Sequence, residues 1–258
     1  MSLASWGLGE VETHTPDLTT GETSSLGFAP RGPSLPQPFL EERSGLSMLA
    51  SPQRTKALLL LSGGIDSPIA GKLLQEQGVE LEAIHFSLEP FTDSGGEEKA
   101  ARLAKKIGLS RLHVVPAGPL FGEIVKRADQ RLYFILSKRL MARIAGALAP
   151  KLGCACIATG ENLGQVSSQT LQNLTSIDRA APLPVLRPLL AYDKVDIVDL
   201  AREWDTFDIS KGPELCDVLG PEKPSTGAAL ERVEKEEGRL DMADLVKRGL
   251  DGVRVVAV

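Results

Sequence analysis

LLLLSGGIDSPIAG, residues 58–71, runs from an apolar stretch through a glycine-rich turn into a helical pattern. The apolar part reads as a buried strand ending at Leu61. The helix reads as starting near Ser67 and Pro68, since proline is tolerated in a first helical turn. Gly63 and Gly64 let the backbone approach a bound anion and turn N–H groups toward it. The helix N-terminus adds partial positive charge. Ser62 and Ser67 bring hydroxyls to the same place, so the expected ligand is a phosphate chain. Asp66 is the odd member, because a carboxylate in a phosphate cradle repels its ligand unless a cation lies between them. Mg2+ bridging the phosphates resolves the conflict; capping of the helix is the plainer alternative. Gly71-Lys72 stands at the wrong spacing from Gly64 for a Walker P-loop, with Leu73 where Ser or Thr is needed, and G-x-G-x-x-G is absent.

Outward from this turn, short aliphatic runs alternate with helical patterns. After the strand at 56–61 come a helix to Gln77, a strand at 79–86, a helix at 95–108 and a strand at 111–116. One or two helices then occupy 121–153. A strand at 154–160, a helical stretch at 167–174 and a strand at 183–190 follow, and then a helix from Lys194 that Asp193 is placed to cap. Such alternation predicts an α/β fold, a doubly wound, Rossmann-like parallel sheet with helices on both faces. A loop around Pro213–Pro224 leads to the charged run ALERVEKEEGRLDMADLVKRGLDG, read as a solvated helical face. The terminal VRVVAV is suited to add a strand at the sheet edge. The domain is expected over 55–258. Residues 1–54, rich in Ser, Thr, Gly and Pro and without a sustained period, are expected to form a disordered tail.

The chain has 258 residues, 42% of them hydrophobic and 4% aromatic. This balance suits helices packed on aliphatic strands. A net charge of −5 is unlike that of a protein that grips nucleic-acid backbones over its whole surface. Three cysteines, Cys154, Cys156 and Cys216, argue for a reducing compartment and against a disulfide scaffold. No apolar stretch is long enough to span a bilayer. Residues 1–10 lack the pattern of a signal peptide. The expected location is the cytoplasm.

SGGxDS after an apolar strand resembles the PP-loop of the adenine nucleotide alpha hydrolase-like superfamily, in which ATP is cut between its α and β phosphates. ATGENLGQVSSQTLQNL (158–174) is similar, almost residue for residue, to the signature of the tRNA 4-thiouridine synthetase (ThiI) family. SKRLMARIA, IDRAAPLPVLRPLLAYDKVDIVDLAREWDTFDIS and PELCDVLGPEKPSTGA agree, in order, so the resemblance covers about residues 56–258. It implies Mg2+ and ATP as cofactors. Besides Ser62, Gly63, Gly64 and Ser67, it implies Leu60, Leu61, His85, Phe86, Lys138, Gly160 and Gln169 as ATP-contact positions. Phe86 would wall the adenine and Lys138 would offset phosphate charge. It also implies adenylation of the C4 oxygen of a tRNA uridine, with Asp66 and Cys216 as the catalytic residues. AMP would be displaced by a persulfide on Cys216, and the same sulfur would serve the thiamine thiazole.

Family members carry N-terminal ferredoxin-like and THUMP domains, and some end in a rhodanese domain; nothing in this sequence resembles these. The grip on tRNA is then expected from a separate THUMP-type partner or a homodimer, and sulfur from a cysteine desulfurase or rhodanese-type donor. Cys154 and Cys156, two apart on a strand, read as core residues, with Cys156 a small hydrophobe; a shared iron–sulfur site with Cys216 is the alternative. Two rival readings remain at this level. One is another PP-loop synthetase acting on a small molecule without tRNA. The other is a nucleotide-binding module without catalysis.

Overall fold

A computed structural model describes residues 55–212 and 218–258. The expected tail and Cys216 lie outside the described residues. The strands are β1 (Lys56–Leu60), β2 (Glu80–Ser87), β3 (Arg111–Pro116), β4 (Cys156–Ala158), β5 (Val185–Leu186) and β6 (Arg254–Ala257). They form one sheet in the order β5-β4-β1-β2-β3-β6. All neighbours are parallel except β6, which runs antiparallel on β3, with Leu112 opposite Val256. The terminal strand is therefore present at the edge, as its sequence suits.

The helices are α1 (Asp66–Glu76), α2 (Gly95–Lys106), α3 (Gly118–Arg127), α4 (Tyr133–Leu148), α5 (Leu171–Asp178), α6 (Lys194–Glu203), α7 (Phe207–Ser210), α8 (Leu230–Glu237) and α9 (Met242–Asp251). They cover both faces, because successive strand residues point to opposite sides. Leu58, Ile84, Val115 and Ile157 pack with buried residues of α3, α4, α5 and α9. Leu59, Ala83, Val114 and Cys156 pack with Leu74 of α1 and Ala100, Leu103 and Ala104 of α2. A smaller cluster joins Ile69 and Ala70 of α1 to Ile197 and Ala201 of α6. Each fully buried leucine contributes about 2 kcal/mol by removal from water. That makes the aliphatic β1 the anchor for the turn that follows it.

Three expectations are corrected. The fifth strand spans two residues, not eight, because Pro184 and Pro188 flank it and have no N–H to give a ladder. Asp193 precedes α6 in extended conformation but makes no side-chain cap bond. The charged C-terminal run is two helices, and it is not wholly solvated. Glu237 is buried against Arg139, whose Nη2 lies 2.6 Å from Glu237 Oε2, and Arg143 Nη2 reaches the same oxygen at 2.7 Å.

Candidate functional site

β1 leads to β2 on one side of the sheet, while β4 flanks β1 on the other. The connections leaving β1 and β4 therefore diverge at the point where open α/β sheets bind ligands, beyond the strands' C-terminal ends. The first carries residues 61–65 and the N-terminus of α1. The second carries Gly160 and the loop to Gln169.

The loop after β1 is closed by its own serines. Ser62 N–H donates to Ser67 Oγ at 2.9 Å, and the two hydroxyl oxygens lie 3.0 Å apart. Gly64 N–H donates to Ser62 Oγ at 3.2 Å, and Ser210 Oγ from α7 donates to Gly64 O at 3.3 Å. Ser67 is buried. The serines thus shape the turn as well as lining it. Gly160 is required by contact: a Cβ there would lie 2.6 Å from Ser67 N and 2.7 Å from the Asp66 carbonyl carbon. The β4 connection rests directly on the start of α1, and a hydrogen is the only side chain that fits.

His85 fixes the same loop from β2. Its Nδ1 lies 2.9 Å from Leu61 O, and a carbonyl can only accept, so Nδ1 carries the proton. Burial holds the imidazole pKa below its ordinary value, so the ring is neutral at pH 7. Leu61 N–H in turn donates to Ile84 O at 2.9 Å. Phe86 differs from expectation. Its side chain is buried in the core cluster with Leu58 and Ile84, where it is the fold's ballast and not an open wall. Leu60 and Leu61 likewise place their side chains in the two core layers. Leu60, Leu61 and Phe86 thus turn their side chains to the core, while His85 turns its ring to the Leu61 carbonyl.

Asp66 opens α1 in the first helical turn; the capping position belongs to Ile65, so the capping alternative is not realised. The Asp66 carboxylate takes Lys194 Nζ at 2.6 Å, and Lys194 also reaches Gln165 Oε1 at 3.1 Å. Gln169 is buried, and its Oε1 has no partner among the described residues. A buried acceptor without a donor is costly, so this atom is suited to receive an N–H from a ligand.

Lys138 is ion-paired with Glu161. Its Nζ lies 2.8 Å from Glu161 Oε1, while Arg187 Nε takes Glu161 Oε2 at 2.8 Å and Thr159 Oγ1 donates to that oxygen at 3.1 Å. Arg187 also holds Asp178 through both terminal nitrogens, at 3.1 and 2.6 Å. Burial would raise the Glu161 pKa, but Lys138 and Arg187 outweigh it and hold the carboxyl below its ordinary range. The cluster locks the residue after Gly160 to α4, α5 and the residue that follows β5.

Cys154 and Cys156 are free and buried, in different core layers. Burial pushes the Cys154 thiol up to about 11 and raises Cys156 as well, the opposite of what a thiolate nucleophile or metal ligand needs. A cleft of about 370 Å³ between α1 and β5 is lined by Leu73, Leu74, Gln77, Leu186, Arg187, Pro188 and Tyr192. None of residues 62–67 lines it, so the phosphate loop lies elsewhere.

Sequence reasoning missed Lys194, Glu161, Arg187 and Asn173. Fully buried Asn173 donates to Ser167 O at 2.7 Å and Ser225 O at 3.0 Å and accepts from Ala228 N at 3.0 Å. It ties the Gln169 turn to the segment beyond residues 213–217. The repeated polar residues of ATGENLGQVSSQTLQN carried that signal, but their partners lie 23 to 55 residues away.

The family model described as "Thiamine biosynthesis protein (ThiI)" matches residues 53–242. A probable tRNA sulfurtransferase of Streptococcus equi subsp. equi is 40% identical over 209 residues, covering 79% of this chain and 52% of that protein. One from Alkaliphilus metalliredigens is 38% identical over 253 residues, covering 95% of this chain and 62% of that protein. A 4-thiouridine synthetase, solved in complex with RNA and with ATP bound, superposes with a TM-score of 0.75 at 38% identity, covering 79% of this chain and 55% of that one. An NMN synthetase from Francisella tularensis, at 15% identity and a TM-score of 0.50, shares the fold. The chain thus spans about half to three fifths of the length of these curated sulfurtransferases. With the family match and these identities, the chain belongs to the ThiI family.

Proposed function

We propose that this chain is an ATP-dependent sulfurtransferase domain that activates a tRNA uridine and exchanges its C4 oxygen for sulfur. The observation that carries the proposal is the closed 62–67 turn at the switch point, with Gly160 seated on it, in a chain 40% identical to probable tRNA sulfurtransferases. The nucleotide's phosphates would lie against the turn and the N-terminus of α1. The orphaned Gln169 Oε1 would accept from the nucleotide, and backbone at Leu60–Leu61 and His85–Phe86 would line it.

The carbonyl oxygen attacks the α phosphorus, pyrophosphate leaves, and the uridine carries AMP on that oxygen. A persulfide sulfur on Cys216 would then attack C4, and AMP would depart with the oxygen, leaving the new sulfur joined to Cys216 by an S–S bond; an external thiol would attack the Cys216 sulfur, releasing 4-thiouridine and forming a disulfide that a second thiol reduces. N–H and hydroxyl groups aimed at the phosphates would stabilise the charge that develops. Asp66 is suited to hold Mg2+, a hard cation that takes one or two carboxylates together with substrate phosphates. When bound, the ion would neutralise phosphate charge.

Cys216 is the sulfur carrier that the resemblance of PELCDVLGPEKPSTGA to the family implies. Gly212 stands beside the loop: a Cβ there would be 3.6 Å from Lys99 Nζ, and Lys99 packs on Gly63. Relatives named for tRNA sulfur transfer and a neighbour complexed with RNA support tRNA as the acceptor. The family description names thiamine biosynthesis, which supports sulfur supply for the thiamine thiazole as a second outlet of the same chemistry. A separate THUMP-type subunit or a homodimer would provide the RNA grip, and a cysteine desulfurase or rhodanese-type protein the sulfur. Among the described residues no helix is long and apolar enough to cross a membrane.

The test is formation of 4-thiouridine in an unmodified tRNA transcript with ATP, Mg2+ and a persulfide source. Thiolated tRNA supports the proposal. Its absence, with a THUMP-type partner also supplied, rejects tRNA as the acceptor.

A further inference from the structure

Two lysines of the candidate site are already neutralised. Lys138 is held by Glu161 and Lys194 by Asp66. Lys99, on the second turn of α2, is different. Its ammonium meets only the Ser210 carbonyl, at 3.4 Å, among the described residues. A carbonyl at that distance is a weak acceptor and cancels no charge. The α2 carboxylates nearest in sequence are turned elsewhere: Glu97 pairs with Arg254, and Glu98 takes Ser94 Oγ at 2.6 Å. The stem of Lys99 lies against the loop, since a Cβ on Gly63 would be 3.0 Å from Lys99 Cδ. Because β2 and β4 lie on opposite sides of β1, Lys99 flanks the turn from one side and the Asp66–Lys194 pair from the other.

We propose that Lys99 binds the β and γ phosphates of the nucleotide. The inference rests on the ATP reading above and deepens it. A half-buried cation whose stem covers the first glycine of an anion-binding turn is desolvated and unspent, and a phosphate oxygen is the acceptor it lacks. The weak Ser210 contact is one the ammonium can leave with a small rotation about its four-carbon stem. The structural alternative is that Lys99 serves only to cap the last carbonyl of α7.

Equilibrium binding of Mg-ATP, pyrophosphate and AMP to wild type, Lys99→Met, Lys99→Gln and Lys99→Arg separates the two. Loss of a charge-assisted hydrogen bond should weaken ATP and pyrophosphate by about 10- to 100-fold in the neutral variants, and AMP by much less. Lys99→Arg should stay within about threefold of wild type for all three, since it keeps the charge. If Lys99→Met is poorly folded, Lys99→Gln, which keeps a polar tip for Ser210, supplies the neutral measurement. ATP binding unchanged in the neutral variants, or equal losses for AMP and ATP, overturns the proposal in favour of a structural role. Failure of wild type to bind ATP at all would sink the nucleotide reading, and this assignment with it.

Discussion

The Asp66 carboxylate and the Lys194 ammonium lie 2.6 Å apart, joining the first turn of α1 to the first turn of α6 across 128 residues of sequence. The pair is half-exposed, with side-chain exposures of 22% for Asp66 and 49% for Lys194, so it adds less than about 1 kcal/mol to stability. Its arrangement instead keeps the one carboxylate of the phosphate turn compensated. Asp66→Ala should therefore reduce pyrophosphate release by at least about 100-fold, as expected for loss of a main electrostatic contributor. The melting temperature should change by no more than a few degrees. Calorimetry and a pyrophosphate assay on the same preparation check both. Normal turnover by this variant removes Asp66 from the metal role.

Gly160→Ala drives a methyl group to within 2.6 Å of Ser67 N. The nearest atoms are all backbone of Asp66 and Ser67, so the β4 connection and α1 must separate. We expect KM for ATP to rise by about tenfold or more, with a loss of stability of about 1–3 kcal/mol, the usual cost of overpacking. Steady-state kinetics beside urea unfolding measure the two effects, and an unchanged KM would show that the contact does not shape the nucleotide site.

Glu82, at the opposite end of the strands, is a reporter of stability. Arg111 beside it, followed by Lys56 and His113, outweighs burial and holds its pKa at about 2, against 4.5 for an ordinary glutamate. Arg111 Nη2 lies 2.5 Å from Glu82 Oε1 and Lys56 Nζ 2.9 Å from it. Because the folded pKa is depressed, this contribution is fully present above pH 4.5 and is lost as pH falls toward about 2. The shift corresponds to at most about 3 kcal/mol. Urea unfolding of wild type at pH 6, 4 and 3 should show falling stability. Glu82→Gln should be less stable at pH 6 and show a shallower decline; an equally steep acid limb in that variant would assign the titration to other groups.

The three cysteines should separate cleanly. Cys154→Ala and Cys156→Ala remove buried thiols whose pKa values are raised, so the double variant should thiolate tRNA within about twofold of wild type once folded, since neither thiol is a good nucleophile. Cys216→Ser should release pyrophosphate normally and transfer no sulfur. Mass spectrometry of the tRNA beside a pyrophosphate assay decides this, and full thiolation by Cys216→Ser ends the persulfide assignment.

Much of this was legible in the sequence where the determinant is local. The run KALLLL followed by SGGIDS gives a strand, a turn and a helix from residues within fifteen positions of one another, and the structure places them so. Gly160 could be named from its motif, but not the contact with Ser67 that demands it. What the sequence hid is set by distant partners. Lys138 reads as a free cation until Glu161 and Arg187 are seen beside it. Glu237 reads as a solvated helix residue until Arg139, 98 residues away, is found against it. Phe86 lies near the end of β2, and only the packing of α3 and α4 shows that its ring belongs to the core. Leu183–Leu190 has the apolarity of a strand, but its prolines limit the hydrogen bonds it can give.

The proposed mechanism requires ATP to be cut between its α and β phosphates. The direct measurement is product analysis by chromatography after incubating the protein with Mg-ATP, unmodified tRNA and a persulfide source. The account predicts AMP and pyrophosphate in equal amounts, rising with tRNA. ADP and inorganic phosphate in their place would contradict cleavage between the α and β phosphates, and with it the adenylation on which the proposed function depends.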